Sequence, residues 1–116
     1  MANYWIDHKG KQILVTDFRN LSPEEMLENI RNSIPVITGH EGNLLVFCRL
    51  ENCLLMPEFM EFAKKHSKEV EPKFDKYAVT GMNGLKKILL NSYSLFTNSK
   101  NKAFSTELEA LDYLVS

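Results

Sequence analysis

The chain has 116 residues, 44% of them apolar and 25% charged, with a formal net charge of −1. That is the length and composition of one globular domain, spanning residues 1–116, and the near-neutral balance excludes a global field that would draw nucleic acid or acidic lipid. No apolar run approaches the ~18 residues of a membrane-spanning helix.

Met1–Lys11 carries Asp7, His8 and Lys9 and lacks the apolar stretch of a secretory leader. Cys48 and Cys53 are too few for a disulfide framework, so a cytoplasmic protein with reduced thiols is expected.

In chain order, Tyr4–His8 and Gln12–Phe18 read as two strands of a hairpin turning at Lys9-Gly10-Lys11. A helix opens at Ser22 as N-cap, with Pro23 at the first helical position and Glu25 completing a capping box. Leu21 and Met26 stand at the positions of a hydrophobic staple. Leu27, Ile30 and Ile34 form the apolar stripe, and Pro35 is expected to end or kink the helix near Ser33 or Ile34.

Leu44–Cys48 is an unbroken apolar run of strand length, the pattern of a strand buried on both faces and covered by helices above and below. A second helix starts at Pro57, turns Phe59, Phe62, Ala63, His66 and Val70 to one side, and ends at Pro72. Tyr77–Thr80 is a further strand, breaking at Gly81 and Gly84 into a third helix with Leu85, Ile88, Leu89 and Tyr93 expected inward. Ala103–Ser105 is a last short strand. Thr106 and Glu109 then form a second capping box, opening a final helix with Leu108, Leu111, Leu114 and Val115 expected inward. The order β-β-α-β-α-β-α-β-α predicts an α/β fold, a mixed but mostly parallel sheet covered by helices with an antiparallel edge from the hairpin.

Three stretches resemble the SpoIIAA-like proteins, which belong with the STAS domains of sulphate transporters and anti-sigma factor antagonists. They are Tyr77–Leu90 (YAVTGMNGLKKILL), Lys102–Leu114 (KAFSTELEALDYL) and the opening Tyr4–Lys11 (YWIDHKGK). The resemblance implies a SpoIIAA/STAS-like fold and a bacterial, non-enzymatic module acting in regulation or protein interaction, free of cofactor and compatible with a homodimer. The related CRAL-TRIO domains suggest the alternative, a small-molecule or lipid-binding carrier. Anti-sigma factor antagonists are phosphorylated at a Ser or Thr just after the central strand. Here Glu51–Pro57 contains no hydroxyl residue, so that switch is chemically absent at this place.

The residues that could bind a partner or ligand follow the C-terminal ends of the two inner strands, where open α/β sheets place their sites. Asn52, Cys53, Leu55 and Met56 would offer an apolar lip, continued by Leu54, Phe59 and Met60. Gly81, Met82, Asn83, Gly84 and Lys86, with Lys87 beside it, would offer backbone N–H groups and ammonium charge to an anion. The partner is then a protein or a small apolar or acidic ligand. An enclosed cavity near Leu54–Met60 would favour the carrier, an exposed apolar patch the interaction module.

Cys48 reads as a core residue and Cys53 as an accessible thiol without an activating neighbour. His8, His40 and His66 have no metal-ligand spacing. Residues 64–102 hold nine lysines against Glu69, Glu71 and Asp75, an excess of six positive charges whose simplest account is solvated faces and loops.

Overall fold

The structure is a computed structural model that describes residues 2–116; Met1, where the expected leaderless opening begins, lies outside them. Strands β1 (Asn3–His8) and β2 (Lys11–Asp17) form the antiparallel hairpin, with His8 opposite Lys11 and a two-residue turn at Lys9-Gly10. Both turn residues have positive φ, 48° and 83°, the mirror-image turn that matches the twist of paired strands. Strand β3 (Leu44–Arg49) pairs parallel with β2 on one side and with β4 (Phe74–Thr80) on the other, and β5 (Asn101–Phe104) closes the far edge, giving the order β1-β2-β3-β4-β5. The expected central position of Leu44–Cys48 is therefore met. Strand β4 begins three residues before Tyr77, and β5 lies slightly earlier than Ala103–Ser105.

Helices α1 (Pro23–Thr38), α2 (Pro57–Val70) and α3 (Gly84–Thr97) cover one face of the sheet, and α4 (Glu107–Leu114) covers the other. Alternation along the strands sorts the core. Ile13, Val15, Phe47 and Ala78 meet Ala110, Leu111 and Leu114 of α4, while Leu14, Val46, Cys48 and Val79 face the other three helices. The capping box of α1 is complete: the Glu25 N–H donates to Ser22 Oγ, and the Ser22 N–H donates to the Glu25 carboxylate. At α4 half of the expected capping box forms: the Glu109 N–H donates to Thr106 Oγ1, but the Glu109 carboxylate accepts from the Thr106 hydroxyl and not from the Thr106 N–H.

Three expectations are corrected. Helix α1 does not stop at Ser33 or Ile34 but runs through Pro35 to Thr38. A proline this close to the end removes one backbone bond, and continuing places Ile37 in the core beside Leu44 and Phe74. On α3, Leu85 and Ile88 face outward, and Tyr93 is the only fully buried residue among its 14. On α4, Leu108 is exposed and Ala110 takes the inward place against Phe47.

Candidate functional site

The loops at the C-terminal ends of β2, β3 and β4 are tied into one surface. Asn52, at φ 54°, donates from Nδ2 to Asn20 Oδ1 at 2.6 Å, linking the β3–α2 loop to the β2–α1 loop. Lys86 Nζ donates to the Leu50 carbonyl at 2.6 Å and lies 3.4 Å from that of Gly81. Gly81, at φ 84°, lies directly against the Leu50–Glu51 backbone. The structure thus joins the chain leaving β3, at Leu50–Glu51, to the Gly81 turn and Lys86, beside the two segments singled out in the sequence, Asn52–Met56 and Gly81–Gly84.

Their residues divide by exposure. Leu54 and Met56 are exposed and border a shallow groove of about 70 Å³ against Pro23, Met26 and Leu27 of α1. Cys53, Leu55, Phe59 and Met60 belong to the core, with Met82 packed against them. The lip expected from sequence is therefore two exposed side chains over a buried floor. Asn83 caps α3 without a side-chain bond, and the Lys86 N–H donates to the Asn83 carbonyl at 3.1 Å. With the Lys86 ammonium held by carbonyl oxygens, Lys87 is the exposed cation of this turn.

The expectation that Cys53 is accessible is corrected. Its side chain is buried in the apolar cluster and donates from Sγ to the Leu50 carbonyl at 3.3 Å. Burial pushes its thiol pKa up, against a smaller opposing pull from the Lys86 charge. Cys48 is buried as expected, and burial pushes its thiol up to about 12. Both thiols should therefore resist iodoacetamide at pH 7.5 in the native state, and both should react once urea unfolds the chain. Mass spectrometry of the quenched protein reads this directly, and native Cys53 labelling at a free-thiol rate would contradict the burial.

A charged cluster that sequence reading missed lies at the same end of the sheet. Asp17 accepts from Arg19 Nε at 2.9 Å and Arg19 Nη2 at 2.7 Å, and from the Tyr4 hydroxyl at 3.0 Å. Arg49 bridges Glu51 and Glu107, each at 3.1 Å, and the Thr80 hydroxyl donates to Glu51. Burial works to raise the Asp17 pKa, but the Arg19 and Tyr4 donors outweigh it and hold the carboxyl below its usual range. These groups end neighbouring strands, so only the parallel register places them side by side. Each carboxylate has a cation, which makes the cluster a clasp between strand ends and α4.

Beneath α1 and α2 lies a separate cavity of about 80 Å³, reaching Leu55, Phe59 and Met60. Among the described residues no group of three or more His, Cys, Asp or Glu side chains is placed to hold a metal ion. Nor is any helix among them long and apolar enough to cross a membrane.

No known family profile matches the chain, and no curated protein matches it. Among solved structures, an uncharacterized protein of the DUF3478 family from Shewanella loihica PV-4, described as having a SpoIIAA-like fold, aligns with a TM-score of 0.71. The alignment covers 97% of this chain and 92% of that one at 16% identity, a level that speaks for fold alone. In its strand and helix order and in this likeness, the chain has a SpoIIAA-like α/β fold.

Proposed function

We propose that this protein is a non-enzymatic regulatory module that docks an acidic, amphipathic helix of a partner protein on the outer face of α3. One observation carries the reading: α3 buries only Tyr93, while Leu85, Ile88, Leu95 and Phe96 are 66–89% exposed. A helix draws most of its stability from packing an apolar face. Here a second apolar stripe, at spacings of three and seven residues, has no cover among the described residues. From Leu85 to Phe96 it runs roughly 16 Å at the helical rise, three turns of a partner helix laid alongside.

Charge selects the occupant. Of the lysines in residues 76–106, a stretch without Asp or Glu, Lys87 stands exposed on α3, while Lys86 is held by the Leu50 carbonyl and Lys76 and Lys102 lie against Tyr113 of α4 on the other face of the sheet. Lys64 Nζ adds a further positive charge 5.4 Å from the Phe96 ring centroid. A second copy meeting this face would set lysine against lysine, so an acidic partner fits better than the homodimer compatible with the resemblance. The non-enzymatic part of the reading is supported by two buried thiols held protonated and by carboxylates already paired with cations.

The test uses two designed helical peptides with the same leucine stripe, one flanked by glutamate and one by lysine. Fluorescence anisotropy should show binding of the acidic peptide only. Ile88→Asp should weaken it about thirtyfold, the scale of a central contact residue, with stability changed by less than about 0.5 kcal/mol because the site is exposed. Equal binding of the two peptides, or unfolding by Ile88→Asp, would remove the basis of the reading.

A further inference from the structure

The cavity under α1 and α2 has a polar end as well as apolar walls. Thr16, Cys48 and Tyr77 form its floor, and Ile37, Phe59 and Val70 line its sides. Glu71 also lines it, from the short 3-10 turn Glu71–Lys73 that continues α2 directly. That continuation draws Glu71 inward, leaving it 8% exposed, an unusual place for a carboxylate.

The two oxygens of Glu71 are treated differently. Oε2 accepts from the Tyr93 hydroxyl at 2.8 Å. Oε1 is buried and, among the described residues, meets no hydrogen-bond donor. An unmatched buried acceptor is costly, and more so when it carries charge. Tyr93 has only one hydroxyl proton, which is committed to Oε2. Burial, with the Glu71 charge beside it, pushes the Tyr93 phenol far above its usual range, so that proton stays in place. Glu71 lines the cavity, so a molecule held there is one source of the missing donor.

Size narrows the candidate. A single water needs roughly 10–15 Å³ of such space, so about 80 Å³ admits a guest of on the order of six heavy atoms. The walls beyond Glu71 and Tyr93 are mostly aliphatic and aromatic, with Thr16, Ser33, Cys48, His66 and Tyr77 the other polar groups among them, so most of the surface of such a guest meets hydrocarbon. Ile30, Ile34, Ala63, His66 and Leu90, which also line the space, are only half-buried, so the outer wall along α1, α2 and α3 is thin enough to admit a guest without unfolding.

We infer that this cavity is a binding site for a compact apolar molecule bearing one amino group, protonated at neutral pH, one N–H of which Glu71 Oε1 accepts while the hydrocarbon frame fills the space over Thr16, Cys48 and Tyr77. The site lies beneath the helices and is independent of the α3 surface, so failure of one reading leaves the other standing.

The experiment titrates the full chain with cyclopentylamine and with methylcyclopentane, which has the same frame without the donor, following the methyl signals of Ile37, Met60 and Val70 by NMR. Saturable binding of cyclopentylamine with shifts confined to these walls is expected. Glu71→Gln should weaken cyclopentylamine by about tenfold or more, the scale of a bond to a charged acceptor, and leave methylcyclopentane within about twofold. Ala63→Leu, which fills the space and leaves Glu71 intact, should abolish both. If Glu71→Gln fails to fold, Tyr93→Phe decides: it frees the second oxygen and should tighten cyclopentylamine binding. No saturable binding to the unaltered protein, equal losses of both probes in Glu71→Gln, or weaker amine binding in Tyr93→Phe would overturn the assignment and leave the space as a water-filled packing defect.

Discussion

Phe47→Ala is expected to cost about 3–5 kcal/mol, the range for removing a large buried aromatic side chain. Phe47 sits at the middle of the central strand, is fully buried, and faces the side of the sheet covered by a single eight-residue helix. Its ring contributes to the cluster of Ile13, Val15, Ala78, Ala110, Leu111 and Leu114, and the Arg49 guanidinium lies 5.3 Å from its centroid. A helix as short as α4 does not persist without such packing, and Arg49 also carries the ion pair to Glu107 at its first turn. The loss should therefore show as a lower urea midpoint together with faster amide exchange in α4. Total stability of a domain this size is on the order of 5–15 kcal/mol, so the variant should be close to unfolding at 37 °C. Leu85→Ala, which truncates an exposed leucine on α3, should stay within about 0.5 kcal/mol. A Phe47→Ala loss no larger than that of Leu85→Ala would show that the α4 face is not a packed core.

The contrast between Phe47 and Leu85 also marks what the sequence makes legible. The run Leu44–Cys48 is apolar at every position, and its strand length between Gly42-Asn43 and Arg49 fits a strand covered on both faces. The ends of α1 and α4 are visible because Ser22 with Glu25, and Thr106 with Glu109, are the pairs that satisfy free backbone N–H groups. Helix α3 is different. Leu85, Ile88, Leu89, Leu90, Tyr93, Leu95 and Phe96 surround most of its circumference, so periodicity cannot say which stripe is inward. Packing against α2 decides it, selecting Tyr93 with the half-buried Leu89 and Leu90. Charges were less legible still. Asp17, Arg49, Glu51 and Thr80 are neighbours only through strand register, and Glu107 joins them from the other end of the chain. Glu71 looks in sequence like any acidic residue at a helix end. Its burial follows from α2 running straight into a 3-10 turn, which no residue pattern announces.

Gly81→Ala is expected to destabilise the protein by about 4 kcal/mol, from two causes acting at once. The residue has φ 84°, where a side chain costs roughly 1–3 kcal/mol. A Cβ placed there would also lie about 2.4 Å from the Glu51 backbone nitrogen and 2.6 Å from the Leu50 carbonyl carbon. Backbone cannot turn away as a flexible side chain can, so the end of β4 would have to part from the chain leaving β3, at a further cost of roughly 1–3 kcal/mol. That movement would break the Leu50 N–H bond to the Thr80 carbonyl, 3.0 Å long, and pull Lys86 from the Leu50 carbonyl. Gly84→Ala separates the causes. Gly84 also has positive φ, at 47°, but nothing lies within 4 Å of the added carbon, so only the conformational cost of about 1–2 kcal/mol should appear. Urea unfolding of the two variants measures the difference. If they fall within about 1 kcal/mol of each other, Gly81 is not in backbone contact with Leu50–Glu51, and the β3 and β4 loops are not joined at this place.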